Sequence, residues 1–213
     1  IFIFLTFISF TSISIAQEIM EEVDPNKIII EYSDFIDKNQ MEIPGAIVFT
    51  GNVRVLHNGV RISCNKAYHF TDENYVKAFG NVQLVQGDTI FMNSRYAEYN
   101  GDKEFAYATG NVNMRSPQSN LVTDTVYFDR KVQQAFYNSY GTITNKDNTL
   151  KSKSGKYYLN EKKYTFKTAV TVVNPRSTIK TNHLDYYDNS GHAYVFGPST
   201  ITSKTDYIYT ENG

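Results

Sequence analysis

Apolar and polar residues alternate along several stretches of this chain. Between residues 74 and 86, every second residue from Val76 to Leu84 is small or apolar, whereas Tyr75, Lys77, Asn81 and Gln83 are mostly polar. A period of two predicts a β-strand with one buried face. The same alternation returns over residues 105–115. It fixes the register, because a slip by one residue would expose the whole apolar set.

A short phrase that begins with glycine recurs about every thirty residues along the chain. The clear copies GNVRV, GNVQL and GNVNM begin at Gly51, Gly80 and Gly110. Weaker copies begin at Gly141, Ala169 and Gly197. A fixed period of this size predicts a stack of one supersecondary unit. Glycine inside a strand is typical of a bend, so we expect the strands of successive units to bend along one line.

An aromatic residue keeps the same period near the end of each unit. It stands at Phe70, Tyr99, Phe128, Tyr158 and Tyr187, in steps of 29, 29, 30 and 29 residues. The glycine phrase and the aromatic residue keep the same spacing along the chain, so chance is a poor explanation of the period. We interpret these five aromatics as a structural ladder of cross-strand neighbours rather than as ligand contacts.

Turn-forming pairs separate the alternating stretches. The pairs at residues 58–59, 87–88 and 100–101 tolerate a positive φ and close tight hairpins, so neighbouring strands should be antiparallel. The predicted fold is therefore all-β, with two antiparallel sheets folded over each other around an apolar interior. A parallel β-helix is the main alternative, because it also has a fixed period, but its rungs typically lack hairpin turns.

The first sixteen residues are uncharged and rich in Ile and Phe. They are too few to span a bilayer comfortably, and Ser14 and Ala16 supply the small residues that a signal peptidase needs. We predict a secretory signal peptide over residues 1–16, followed by a linker over residues 17–27. The alternative is an uncleaved membrane anchor. Since the chain begins with Ile1 and lacks a basic start, we expect a truncated N-terminus.

Charge and chemistry exclude several classes of function. The chain has 21 basic and 22 acidic residues, and its net charge of −1 gives no general attraction to nucleic acid. The lone Cys64 cannot form an intramolecular disulfide, and we expect it to be buried on a strand. The four histidines lack metal-ligand spacing, and no nucleophile elbow or phosphate-binding loop is present. We predict no catalytic residues, no metal and no cofactor.

The phrase GNVxV, followed by a hairpin and a strand as in residues 87–112, resembles the OstA-like domains of the LptA-type lipopolysaccharide-transport family. These domains also form the N-terminal part of LptD and occur in Bacteroidetes-type relatives. The resemblance covers residues 28–213 and is strongest between Gly51 and Tyr187. It implies an elongated antiparallel β-jellyroll, also called a β-taco, which works in the periplasm between the inner and outer membranes.

The resemblance also implies that the protein shields the acyl chains of lipopolysaccharide in an apolar groove during transfer to the outer membrane. An acyl chain of about a dozen methylenes exposes roughly 10 kcal/mol of apolar surface at ~0.8 kcal/mol per methylene, so it cannot cross water unshielded. Transport through such a groove requires no chemical reaction in the protein itself. The energy would come from the family's ATP-driven machine at the inner membrane.

The candidate groove lining consists of the apolar residues that the alternation places inside. They are Val53, Val55, Ile62, Val82, Leu84, Ile90, Val112, Met114, Leu121, Ile143, Val170, Val172, Ile179 and Ile201. Residue type alone does not separate a groove from the dry core of a β-sandwich, so both interpretations stay open. The basic residues at outward positions could meet lipid phosphates, but any soluble strand carries such residues.

Partners follow from the resemblance and from the last strand. Residues 205–210 should form an open β edge, which recruits further strands. We expect either that the chain is the front part of a longer protein or that this edge pairs with other jellyroll domains of the transport bridge or with a second copy, head to tail. The alternative function is a structural or glycan-binding β-repeat protein of the cell surface. A glycan binder should show a column of aromatic residues outside, and a lipid bridge needs its continuous column inside.

Overall fold

The computed structural model describes residues 24, 26–39, 41, 43–117 and 119–213. The predicted signal peptide over residues 1–16 and the linker residues 17–23 lie outside this part. The described residues form sixteen β-strands and no helix. Among them, therefore, no helix has the length and apolar character needed to span a membrane.

The strands are short at the N-terminal edge and mostly eleven or twelve residues long elsewhere. Their bounds are β1 (Ile29–Tyr32), β2 (Phe35–Asp37), β3 (Ile47–His57), β4 (Val60–Phe70), β5 (Tyr75–Gln86), β6 (Ile90–Asn100), β7 (Phe105–Arg115), β8 (Ser119–Asp129), β9 (Gln134–Tyr137), β10 (Gly141–Asn145), β11 (Asn148–Ser152), β12 (Ser154–Tyr158), β13 (Lys163–Val173), β14 (Ser177–Tyr187), β15 (His192–Ser203) and β16 (Tyr207–Asn212).

All sixteen strands belong to one hydrogen-bonded sheet, and every pairing in it is antiparallel. Consecutive long strands are neighbours from β3 to β8 and from β13 to β16. Between these blocks, β9 with β10 and β11 with β12 act as two interrupted strands. β8 pairs with both β9 and β10, and β13 pairs with both β11 and β12.

A line of bends folds this sheet in two. Gly51, Gly80 and Gly110 have φ of 79°, 71° and 83°, and the asparagine after each also has a positive φ. The register with the neighbouring strand shifts at each of these positions, which is the signature of a β-bulge. The predicted bends are confirmed, and the two sheets expected from the sequence are the two halves of one folded sheet.

We name the halves by the segments that build them. Half-sheet A contains residues 75–79, 96–100 and their paired neighbours, and half-sheet B contains residues 82–86, 90–94 and theirs. The inner faces of the two halves pack against each other, and the alternation predicted from the sequence holds on both. In β5, for example, Val76, Ala78, Val82 and Leu84 are all buried.

The interior contains two apolar clusters of unequal size. The larger one spans β3 to β9, and at its centre Val53, Val82 and Val112 are fully buried. The smaller one lies between β11 and β15 around Phe166 and Leu184. The N-terminal part of the folded sheet is therefore tightly packed, whereas the C-terminal part has less apolar filling.

The structure does not place the five periodic aromatics in one ladder. Tyr99 and Phe128 point inward, since they pair with Val76 and Ala106 of the interior. Phe70, Tyr158 and Tyr187 occupy hairpin ends, where they pair with the residues Tyr75, Lys163 and His192. The residues at the equivalent hairpin ends of β6 and β8 are Asn100 and Asp129. The step of 29 residues from Phe70 therefore ends at Tyr99, one residue before the equivalent hairpin end at Asn100. Adjacent residues of a strand face opposite sides of the sheet, so Tyr99 faces inward, whereas Phe70 does not.

Candidate functional site

A groove opens between the half-sheets where the larger cluster ends. Its first cavity has a volume of about 110 Å³. The walls of this cavity come from strands on both sides of the bend, so it is enclosed by the folding of the sheet. Its apolar lining includes Leu84, Ile90, Met92, Met114 and Leu121 from half-sheet B and Val126, Phe128, Ala135, Tyr137 and Phe166 from half-sheet A.

A second cavity of about 290 Å³ adjoins the first toward the C-terminal strands. Half-sheet B supplies Leu150, Val172 and Ile179, and half-sheet A supplies Leu184, Tyr186 and Ala193. Four residues line both cavities, so the two form one groove with a boundary inside it. They are Ser119, Ile143, Tyr164 and Phe166.

The fourteen residues predicted to line the groove fall into three groups. Seven face one or both cavities, namely Leu84, Ile90, Met114, Leu121, Ile143, Val172 and Ile179. Six are buried in the packed clusters, namely Val53, Val55, Ile62, Val82, Val112 and Val170. The remaining one, Ile201, is half-buried between Ile179 and Ile208 on the neighbouring strands and faces neither cavity.

The opposite wall of the groove was missed by the sequence analysis. Half-sheet A contributes a row of inward aromatics, Tyr157, Tyr164 and Tyr186, which are direct neighbours on β12, β13 and β14. Phe166 follows on the same face of β13. Aromatic and polar residues alternate in β13 before its bend, over residues 163–167, and this alternation indicates that Tyr164 and Phe166 share a face. The recurring glycine phrase does not include these aromatics, because in this unit it begins at the bend itself, at Ala169.

The described residues that line the groove carry their charged groups at its rims or on its outer side. Arg115 borders the first cavity and Asp188 the second, and both are exposed. The ammonium group of Lys156 lies 5.4 Å from the ring centre of Tyr158 on the outer face, so this charge is directed away from the groove. Burial raises the pKa of the phenol of Tyr164 far above its ordinary value, so its hydroxyl is neutral at physiological pH.

A set of polar contacts joins the edges of the two half-sheets over the larger apolar cluster, on the N-terminal side of the groove. We call it the polar clasp and define it as His57, Asn58, Tyr99 and Arg130. Nδ1 of His57 lies 2.7 Å from the hydroxyl of Tyr99. Because His57 belongs to half-sheet B and Tyr99 to half-sheet A, this contact joins the edges of the two half-sheets. Arg130 donates to the same hydroxyl at 3.2 Å and to the carbonyl oxygen of Asn58 at 3.3 Å.

The N-terminal segment covers the clasp. The carbonyl oxygen of Asn26 lies 2.9 Å from Nε2 of His57 and accepts a second bond from the amide of Asn74, also at 2.9 Å. The backbone N–H of Ile28 donates to the same Asn74 side chain. These bonds satisfy buried polar groups, and they seal the mouth over the packed part of the interior.

Ionisable side chains do not form a catalytic or metal-binding arrangement in the part of the chain that the structure describes. No group of three or more His, Cys, Asp or Glu residues is placed there to hold a metal ion. His57 belongs to the clasp, and His69 is buried, which lowers the pKa of its imidazole. Cys64 is buried and free, as expected from the sequence, and burial raises the pKa of its thiol. The walls of the groove present mainly apolar and aromatic side chains.

The chain is similar to proteins that are already known. Among solved structures, LptH from Pseudomonas aeruginosa, described as the LptA homologous periplasmic component of the conserved lipopolysaccharide transport device, is 13% identical with a TM-score of 0.47. The match covers 50% of this chain and 81% of that chain. No curated protein is significantly similar in sequence. The model of the OstA-like protein family matches residues 25–182, which is well over half of the chain. The chain therefore belongs to the OstA-like protein family.

Proposed function

We propose that this protein binds lipopolysaccharide in the periplasm and shields its acyl chains in the groove during transfer to the outer membrane. The observation that carries this proposal is the pair of adjoining apolar cavities between the half-sheets. Their walls are apolar or aromatic, and their polar and charged groups lie at the rims, where a lipid headgroup would meet water. Members of the OstA-like family are transport and binding proteins, and the chain is not an enzyme.

The groove matches the physical need of an acyl chain. Each methylene removed from water contributes ~0.8 kcal/mol, and the walls offer aliphatic and aromatic side chains along their length. The side chains already fill the N-terminal part of the interior, so the acyl chains would occupy the cavities between β5 and β15. Passage through the packed part would require the polar clasp to open.

Two neighbouring residues on β8 provide the sharpest test of this proposal. Leu121 faces the first cavity, whereas Val122 is 46% exposed on the opposite face of the same strand. A photocrosslinking amino acid at Leu121 should capture lipopolysaccharide in cells, and one at Val122 should not. Ile143 and Thr144 form a second such pair on β10, since Ile143 lines both cavities and Thr144 is exposed.

The outcome separates the groove from a dry core. Capture from the inner position of each pair and not from the outer position would support the proposal. Equal capture from both faces, or capture from the outer positions alone, would contradict a lipid-carrying groove. The two pairs lie on different strands, so local disturbance of one strand by the bulky crosslinker would not affect both results.

We infer further that the protein assembles with other jellyroll domains through its sheet edges. In β16, Tyr207, Ile208 and Tyr209 are 69%, 52% and 56% exposed, and Phe35 of β2 at the other end is 73% exposed. Exposed apolar residues on an edge strand favour addition of another strand. Light scattering over a concentration series should show self-association that weakens in Tyr209→Lys. A strict monomer at high concentration would exclude pairing between copies.

Glycan binding is a second candidate function, because half-sheet A carries the outward aromatic column expected of a glycan binder. We call it the outer aromatic ladder, and it consists of Tyr68, Phe79, Tyr96, Tyr107, Tyr127 and Phe136. Neighbouring ring centres lie 4.7 to 6.4 Å apart. Because the rings pack against one another, cross-strand stabilisation accounts for them, and we rank this function second.

The ladder can be tested separately from the groove. If it binds glycans, Tyr107→Ala should abolish the heat of binding measured with soluble peptidoglycan fragments and leave lipid capture at Leu121 unchanged. The absence of any heat with the unmodified protein would remove this candidate.

A further inference from the structure

The boundary between the two cavities is built from residues of both half-sheets. Tyr164 and Phe166 project from β13 of half-sheet A, and Ile143 projects from β10 of half-sheet B. Ile143 packs against both apolar clusters, so it stands where the larger cluster ends and the smaller one begins. This arrangement places a partition across the groove.

Tyr164 is held in the partition from two sides. Its ring stacks on that of Tyr157, with centres 4.1 Å apart and planes 12° apart, and it is nearly parallel to the ring of Phe166 at 6.0 Å. Its hydroxyl lies near the side chains of Tyr157 and of Ser119, the first residue of β8, which lines both cavities with it. Since Ser119 belongs to half-sheet B, this contact crosses the groove near its mouth.

An acyl chain could cross the partition only by moving the ring of Tyr164. That movement would carry its hydroxyl away from Ser119 and leave it among apolar side chains, which is unfavourable without a polar partner. It would also separate the stacked rings of Tyr157 and Tyr164. The ring therefore resists the passage of a chain from one cavity to the other.

We propose that Tyr164 determines the acyl-chain specificity of this groove by dividing it into two subsites, each of which takes the end of a separate chain. The inference rests on the proposed lipid-binding function and adds to it a limit on chain length. A chain that fills one subsite gains nothing from further methylenes, because they would have to remain in water or displace the partition.

The test measures affinity against chain length with the purified protein. Saturated fatty acids from octanoate to stearate displace a fluorescent apolar probe, and each buried methylene should raise the affinity about fourfold. In the unmodified protein this gain should stop at a definite chain length. In Tyr164→Ala, which opens the partition, the gain should continue to longer chains.

Three further variants make the result specific. Ile143→Ala, which opens the partition from the opposite half-sheet, should shift the limit in the same direction. Tyr164→Phe keeps the ring and loses only its hydroxyl, so the limit should stay where it is in the unmodified protein. Tyr127→Ala, which removes a stacked tyrosine from the outer face, should leave the length limit unchanged.

The possible failures are distinguishable. If the unmodified protein binds no fatty acid of any length, the proposed lipid-binding function is wrong, and the subsites are excluded with it. If it binds them but its length limit is the same in Tyr164→Ala and Ile143→Ala, lipid binding stands and the role of Tyr164 is wrong. An unmodified protein whose affinity rises without a limit would also exclude the partition. Circular dichroism of each variant verifies that its sheet has formed.

Discussion

At the scale of single residues, Tyr137 shows how the interrupted strands are held together. Its ring is buried against two glycines, Gly141 on the following strand and Gly155, which is its direct partner on β12. Its hydroxyl lies 2.7 Å from Oγ of Ser152. An aromatic ring that covers a glycine on a neighbouring strand compensates for the packing that glycine lacks.

Replacement of Gly155 by alanine should therefore destabilise the protein. The added methyl group would lie 2.6 Å from Cε1 of Tyr137, so the ring must move. Overpacking of this kind typically costs about 1–3 kcal/mol in the free energy of unfolding, which urea denaturation measures. The cost should largely disappear when Gly155→Ala is combined with Tyr137→Ala. An equal cost in both backgrounds would show that the ring is not the obstacle.

The residue scale also shows how far the sequence predicts this structure. The inward alternation in β5 and the bends at Gly51, Gly80 and Gly110 were predictable, because each is a local property of the chain. The position of the cavities was not. It depends on which side chains meet across the folded sheet, so Val82 and Leu84, which look alike in sequence, lie in a packed core and beside a cavity, respectively.

At the scale of elements, a charged pair ties β13 to β14. Nζ of Lys163 lies 2.8 Å from a carboxylate oxygen of Asp185, and the Asp185 side chain is only 10% exposed. Burial alone would raise the pKa of this carboxyl. The hydrogen bonds from Lys163, Thr165 and His183 outweigh burial and hold the pKa below its ordinary value.

This pair predicts a loss of stability in acid. Because the pKa of Asp185 is lower in the folded protein, the pair stabilises the fold above the ordinary aspartate pKa of about 3.9. The stabilisation is lost as the pH falls from there through the folded-state pKa. Urea denaturation between about pH 5 and about pH 3 should show a decrease in unfolding free energy that is smaller in Asp185→Asn. Parallel pH profiles for the two proteins would contradict this role.

At the scale of the whole molecule, the polar clasp marks the difference between the packed N-terminal part of the interior and the groove. It spans the mouth over the large cluster, while the cavities lie beyond it. In Tyr99→Phe, His57 loses a buried hydrogen bond and Arg130 a half-buried one, at a cost of about 1–3 kcal/mol in the free energy of unfolding. The amides of the hairpin between β3 and β4 should also exchange their hydrogens faster.

A matched variant controls for the loss of a phenol. Tyr127→Phe removes a hydroxyl from the outer face and should change the unfolding free energy by less than about 0.5 kcal/mol. Equal hydrogen exchange in Tyr99→Phe, Tyr127→Phe and the unmodified protein would show that the N-terminal mouth is held by apolar packing alone.

The line of bends has a consequence for how such proteins could change length during evolution. Every second long strand carries positive-φ residues at the bend, namely β3, β5, β7, β13 and β15, so an added hairpin would bring one such strand with it and continue the fold. Duplication of one hairpin would lengthen the groove by two strand spacings, or about 9.6 Å, and leave its cross-section unchanged. Tandem duplication of hairpins could thus lengthen the groove to span a wider compartment, without any change to the residues of the existing hairpins.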